Sequence, residues 1–289
     1  MVKEPKEETL ETKIKKLQQE LKEELIIRNE RSKEVKLLKD QIHELSKGMV
    51  LRQPFSGSRM KIGVISDTHK GSLYANQHLE NALINTFNKE GVDAVYHIGD
   101  MVDGEKMYTG HEYEIKIHGA DAQMKHAIKT FPHVESKMYL ISGNHDQAYW
   151  KKTGFDICAA IARERDDFEY LGRDQAIIEI RPGVRLALVH PGGGTAYAVS
   201  YKSQKLIESF SGGDKPNILL IGHFHKYDHL FYRNIQAFQC PTTCSQTPYM
   251  KRKPTPAIMG GLILDITMNK KGISKLKTEY LPYYEPNGK

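Results

Sequence analysis

The sequence predicts an α/β domain behind a helical arm. Three observations support this. Residues 10–47 contain neither glycine nor proline and are dense in Glu, Lys, Leu and Ile. From Met60 onward, strand-length apolar runs alternate with helix-length amphipathic ones. Five of the apolar runs end in short polar clusters of Asp, Asn and His.

In the arm, Ile14, Leu17, Leu21, Val35, Leu38, Ile42 and Leu45 share one heptad register. Glu24, Arg28 and Arg31 occupy its middle, where Leu25, Ile26 and Ile27 lie beside the stripe. Residues 1–50 are therefore expected to form a coiled-coil arm, with residues 10–47 dimerising the chain or docking a partner helix. A solvated helix packed on its own domain is the plainer alternative. Gly48 suits a helix C-cap, and Pro54, Gly57 and Ser58 mark a linker over residues 51–59.

Residues 60–289 form the expected domain. Lys61–Asp67, Ala94–Asp100 and Lys137–Ser142 read as strands, with helices over Leu79–Lys89 and Asp121–Phe131 between them. The second half is richer in hairpins. Ala176–Arg181 and Val184–His190 flank a Pro182-Gly183 turn, and Ser200–Phe210 reads as a helix. Ile218–Ile221 and Leu230–Phe238 read as strands, and Leu262–Tyr280 as a pair turning near Asn269–Gly272.

Composition narrows the class. The chain has 289 residues and a net charge of +6, a mild bias toward polyanionic partners. The first fifty residues hold twelve Lys/Arg against eleven Asp/Glu, so the bias lies in the domain. No apolar run reaches membrane-spanning length and the N-terminus lacks the apolar core of a secretory signal. A soluble, cytoplasmic protein with no membrane association is the expectation. Cys158, Cys240 and Cys244 form no disulfide framework.

The chemistry sits in the five clusters: Asp67-Thr68-His69, Gly99–Asp103, Gly143–Asp146, His190, and Gly222–His225. Each follows a strand, at the end where α/β sheets collect ligands. Carboxylate, imidazole and amide oxygen suit divalent manganese, iron or zinc. An acid lying between two such ions can bridge them, and the pair can activate water against phosphorus. A lone histidine at a strand end is ordinary, but five clusters in order are not required by any fold.

DTH, GDMVD, GNHD, a strand-end His and GHFH resemble the five-motif signature of calcineurin-like metallophosphoesterases. The resemblance implies a two-sheet β-sandwich flanked by helices. It implies that Asp67, His69, Asp100 and His225 hold one metal, with Asp100 bridging, and that Asn144, His190 and His223 complete the other. It makes His145 the general acid or a phosphate-binding donor, and Asp103 a partner that orients a histidine. Two divalent ions are expected, manganese first, with iron, zinc or magnesium as alternatives.

The spelling is similar to nucleic-acid members. Asp67–Gly71 and Gly143–Asp146 resemble SbcD-type nucleases, and Gly99–Glu114 resembles the small subunit of family D DNA polymerases. His190–Lys205 and Gln246–Lys253 are similar to uncharacterised phage and bacterial phosphoesterases. Phosphoprotein phosphatases carry GDxVDRG and GNHE, whereas here Gly104 follows Asp103 and Asp146 replaces the Glu. A phosphodiesterase or nuclease acting on DNA or RNA by in-line attack of a metal-bridging hydroxide is the expected function. A phosphomonoesterase on protein or metabolite is one alternative, and a coiled-coil assembly protein with a vestigial site is another. Tyr149–Lys152, Lys251–Lys253, His111–Tyr113 and Gly192–Gly194 are further candidates for substrate contact.

Overall fold

The computed structural model describes residues 19, 21–25, 28, 50–53, 55–211, 215–253 and 256–284. The chain divides into two units, Met1–Lys47 and Gly48–Lys289. In the first, residues 19, 21–25 and 28 are helical and exposed. The coiled-coil expectation rests on residues 10–47, most of which lie outside the described residues.

The second unit is built on two six-stranded mixed sheets. The strands are β1 (Val50–Arg52), β2 (Arg59–Ile65), β3 (Ala94–His97), β4 (Lys137–Ser142), β5 (Phe168–Arg173), β6 (Gln175–Arg181), β7 (Val184–Val189), β8 (Ile218–Ile221), β9 (Asp228–Tyr232), β10 (Ile235–Gln239), β11 (Gly260–Asn269) and β12 (Gly272–Pro282). One sheet runs β12-β11-β2-β3-β4-β5, with β2 to β5 parallel. The other runs β1-β6-β7-β8-β10-β9, with β7, β8 and β10 parallel. Helices α1 (Gln77–Lys89), α2 (Ala120–Thr130), α3 (Gln147–Thr153), α4 (Ile157–Arg163), α5 (Tyr201–Ser209) and α6 (Pro248–Arg252) join them.

Period-two patterning places the cores. Ile62 and Val64 of β2 meet Ile178, Leu186, Leu188 and Leu220 of the facing sheet in one buried cluster. Ile65, Val95, Met138 and Leu140 point the other way, under Leu83, Phe87 and Ile161 of α1 and α4. Gly63 lets α1 lie close, since a Cβ there would fall within 2.8 Å of the Phe87 ring. Asn76 caps α1 by accepting the Leu79 N–H at 2.9 Å. On the outer face of the second sheet, Ile207 of α5 packs over Leu219, Ile221 and Ala237. The fold is thus the α/β sandwich with flanking helices that the motifs implied. Among the described residues no helix is long and apolar enough to cross a membrane.

One expectation is corrected. Leu230–Phe238 is not one strand. Arg233 and Asn234, at φ 50° and 61°, form the two-residue turn of a hairpin between β9 and β10. Residues 51–59, expected as a linker, bond to the second sheet. They contribute to β1, paired in parallel with β6, and the Phe55 N–H then donates to Ile180 O at 2.8 Å. Short strands of this kind carry too little pattern to declare themselves.

The buried carboxylate of Asp167 fixes the entry to β5. It accepts Arg165 Nε–H at 2.8 Å and the Val134 N–H at 3.0 Å, while Arg165 Nη1 donates to Phe131 O at 2.6 Å. Burial pushes this carboxyl up, but the Arg165 and Val134 donors more than offset it and hold it below the ordinary carboxylate range. A lowered folded-state pKa gives stability that is present above the unfolded value and lost as pH falls through the folded one. Asp167→Asn is therefore expected to cost about 1–3 kcal/mol at pH 7. The gap from the parent should narrow below about pH 4. Urea titrations of both proteins at the two pH values check this; an equal gap at both would remove the ion pair as the cause.

Candidate metal centre

The five clusters leave the ends of β2, β3, β4, β7 and β8, three from one sheet and two from the other. Their backbones bend sharply there. Asp67, His69, Asp100, His223 and His225 all take left-handed φ, between 44° and 77°. Non-glycine residues in this region cost about 1 kcal/mol or more each, so the surrounding structure must enforce it. Backbone bonds zip the first two turns together. The Asp67 N–H donates to Gly99 O at 3.0 Å, His69 N–H to Asp100 O at 3.0 Å, and Lys70 N–H to Met101 O at 2.8 Å. Thr242 Oγ1 donates to Asp67 O at 2.9 Å from the far side.

The sequence-predicted side chains converge. Asp67 Oδ1 lies 3.2 Å from His225 Nε2 and 4.0 Å from His69 Nε2. The two imidazole nitrogens are themselves 3.2 Å apart. A second group gathers on the other side. His190 Nε2 lies 3.1 Å from Asp100 Oδ2 and 3.2 Å from Asn144 Oδ1, and the His190 and His223 rings stand 5.3 Å apart. Asp100 faces both groups, since its Oδ2 is also 3.9 Å from His69 Nε2.

Outer partners fix which ring nitrogen points inward. His190 Nδ1 donates to Ile98 O at 2.6 Å, His223 Nε2 to Gly193 O at 2.6 Å, and His69 Nδ1 faces Asp103 Oδ1 at 3.2 Å. This turns His190 Nε2, His223 Nδ1 and His69 Nε2 inward, where a cation can take the place of a proton. Gly143 permits the closeness, because a Cβ there would strike the Asp100 carboxylate and approach His190 Cε1 at 2.7 Å.

The field matches this chemistry. Burial pushes the carboxyls of Asp67, Asp100 and Asp103 up, yet the imidazoles more than reverse it. His225 holds Asp67 below the ordinary range, His190 does so for Asp100, and His111 with His69 does so for Asp103. Burial would lower His69 and His190, but Asp103 with Asp100 lifts the first to about 9, and Asp100 lifts the second to about 10. Carboxylates that pull protons onto imidazoles pull cations equally, since both compete for the same lone pairs.

The residues fit divalent cations. Ligands at about 2.1 Å from one ion lie roughly 3.0–3.4 Å apart, the spacing seen at Asp67/His225, His69/His225, Asp100/His190 and Asn144/His190. Asp67, His69 and His225 form one set of donors within mutual reach, and Asp100, His190 and His223 another.

Asp103 and His145 lie beside these donors. His145 lines the cavity, its Nδ1 donating to the Asp103 carbonyl at 2.6 Å. Burial lowers its pKa to about 4, so the ring is neutral near pH 7.

Two contributors were not assigned from sequence. Asp146 accepts the Val102 N–H at 2.9 Å and the Gly143 N–H at 2.8 Å, tying the second cluster to the third. His111 is buried, with Nε2 at 3.4 Å from Asp103 Oδ2, and neither atom has another partner among the described residues. Met107 N–H donates to His111 Nδ1 at 3.4 Å, which directs the Nε2 proton at Asp103. His111 stood in the sequence among candidates for substrate contact, but its place is behind Asp103.

Of the other candidates, Tyr149 is buried and Trp150 lies under the Arg173 guanidinium at 3.9 Å on α3. Neither lines the cavity, whereas Gly193, Gly194 and Lys253 do. That cavity, about 330 Å³, opens directly over His69, Asn144, His145, His223 and His225.

Residues 60–239 match the family model of the calcineurin-like phosphoesterase superfamily domain. The chain belongs to this superfamily. As a calcineurin-like phosphoesterase it is 27% identical over 244 residues to the DNA polymerase II small subunit of Pyrococcus furiosus, an alignment covering 67% of this chain and 39% of that protein. The chain thus spans about two-fifths of the length of this curated relative. Among solved structures, an archaeal phosphodiesterase is 18% identical with a TM-score of 0.46, covering 77% of this chain and 100% of that one. A phosphoesterase from E. coli, Yfce, is 16% identical with a TM-score of 0.42, covering 75% and 98%.

Proposed function

We propose that this calcineurin-like phosphoesterase is a metal-dependent phosphodiesterase that acts on nucleic acid with two divalent ions, manganese first among them. The observation that carries this is Asp100, which faces two sets of inward-pointing imidazoles at once. Asp67, His69, Asp100 and His225 would hold one ion, and Asp100, Asn144, His190 and His223 the other. When bound, such ions polarise a phosphate and make water a nucleophile near neutral pH.

The chain's own residues do the rest. Asp103 holds His69 with Nε2 inward. Asp146 keeps the third cluster against the second. With His145 Nδ1 engaged by the Asp103 carbonyl, its Nε2 is left to exchange a proton with the substrate. A bound phosphodiester brings negative charge beside that atom and favours its protonation, so the proton can pass to the departing oxygen.

Nucleic acid is favoured over protein phosphate by the spelling of the second and third clusters and by the likeness to a DNA polymerase subunit. With manganese, turnover of bis-p-nitrophenyl phosphate and of single-stranded DNA is expected to exceed that of p-nitrophenyl phosphate. Turnover of the monoester alone would overturn the diesterase reading.

A further inference from the structure

The cavity has two unlike walls. One carries the ligand-type side chains. The other is aromatic and thioether, made by Met107, Tyr108, Tyr249 and Met250. The Tyr108 and Tyr249 rings lie nearly parallel, 16° apart with centroids at 4.0 Å. They come from distant segments, the loop after the second cluster and the first turn of α6.

A buried carboxylate joins these segments. Glu114 Oε2 accepts the Tyr108 hydroxyl at 2.7 Å, and its Oε1 accepts the Tyr249 N–H at 3.2 Å. Its backbone carbonyl accepts the Leu73 N–H at 2.9 Å, anchoring the clamp to the loop after the first cluster. Thr247 Oγ1 caps α6 by accepting the Met250 N–H at 3.2 Å. Burying a carboxylate is costly unless it is well bonded, so this one does specific structural work in holding a tyrosine pair at the cavity. Lys253 Nζ lies over the Tyr249 ring, 4.9 Å from its centroid, and adds a cation to the same wall.

Resting on the phosphodiesterase reading, we propose that this wall is a nucleoside subsite, which receives the base adjoining the scissile phosphate. A cavity of about 330 Å³ takes a group of nucleotide size. A phosphate-binding floor beside an apolar, aromatic wall is complementary to a nucleotide, whose anionic and planar parts are joined by one sugar. Aromatic and thioether surfaces meet the π-face or edge of any base, so the subsite selects for a base and little between bases. The substrate class is therefore a single-stranded or terminal nucleotide diester.

The test uses two diesters with the same leaving group, thymidine 5′-(p-nitrophenyl phosphate) and methyl p-nitrophenyl phosphate, on the full chain with manganese. The base-bearing ester is expected to show kcat/KM about tenfold or more higher, most of it in KM. Tyr249→Ala should bring that ratio near one, and Tyr249→Phe should keep it. Independently of turnover, thymidine 5′-monophosphate should bind the manganese-loaded protein about tenfold or more tighter than inorganic phosphate in calorimetry. Hydrolysis of both esters at equal efficiency, or equal binding of the two phosphates, overturns the subsite and leaves the diesterase standing. Hydrolysis of neither ester, with p-nitrophenyl phosphate still turned over, overturns the diesterase reading and the subsite with it.

Discussion

Asp100→Ala is expected to abolish bound metal and to lower turnover by more than about 10³-fold, with the fold retained. The size follows from position. Asp100 Oδ2 faces His190 Nε2 at 3.1 Å and His69 Nε2 at 3.9 Å, while its Oδ1 accepts the His145 N–H at 2.8 Å. One substitution thus removes a donor from both ligand sets and the bond that seats the third cluster. The fold survives because the strands that deliver these turns are held by the inter-sheet core, in which Ile62, Val64, Tyr96 and Ile98 are fully buried. Alanine also meets a left-handed φ of 53° at this position, worth about 1 kcal/mol of strain that aspartate tolerates better. Asp100→Asn separates the two effects, since asparagine accepts that backbone and still loses the charge. Elemental analysis of purified protein, far-UV circular dichroism and turnover of bis-p-nitrophenyl phosphate read the outcome. A variant holding two equivalents of metal per chain would remove Asp100 from between the sites.

The candidate site was legible in the sequence because each polar cluster directly follows an apolar run whose geometry is local. KIGVIS and KMYLIS declare themselves as strands, so Asp67 and Asn144 can be placed at strand ends before any contact is known. Asp146 and His111 were not legible in the same way. Asp146 works by accepting backbone N–H groups from another cluster, and His111 reaches Asp103 only through the fold of the seven residues between them. Neither carries a sequence pattern that distinguishes it from a turn acid or a loop histidine. The fold shows the same division. The parallel strands β2, β3 and β4 and the long hairpin β11–β12 were read from pattern. By contrast, α3, α4 and β5 fall in residues 147–173, where short elements share few periodic apolar positions. The turn at Arg233-Asn234 lacks the glycine that usually marks a tight hairpin, which is why β9 and β10 read as one strand.

His145→Ala is expected to leave metal content unchanged and to slow turnover by about 10²–10⁴-fold. The ring lines the cavity and stands edge-on to His69 with centroids at 4.5 Å. Its Nδ1 is already engaged by the Asp103 carbonyl, so only Nε2 is open to substrate. Two roles remain for that atom, proton donor to the leaving oxygen or donor to a non-bridging phosphate oxygen, and they predict different substrate dependence. A general acid matters in proportion to the basicity of the leaving group. Loss of a proton donor should therefore slow an alkoxide-releasing dinucleotide far more than bis-p-nitrophenyl phosphate, whose phenolate departs without help. Loss of a phosphate contact should slow both by a similar factor. The expected result is the first, with the two penalties differing by about tenfold or more. Equal penalties would assign His145 to phosphate binding. An unchanged rate on both substrates would take it out of the reaction, and a loss of metal would move it among the ligands, next to Asp100 and His69, with which it could also share a cation.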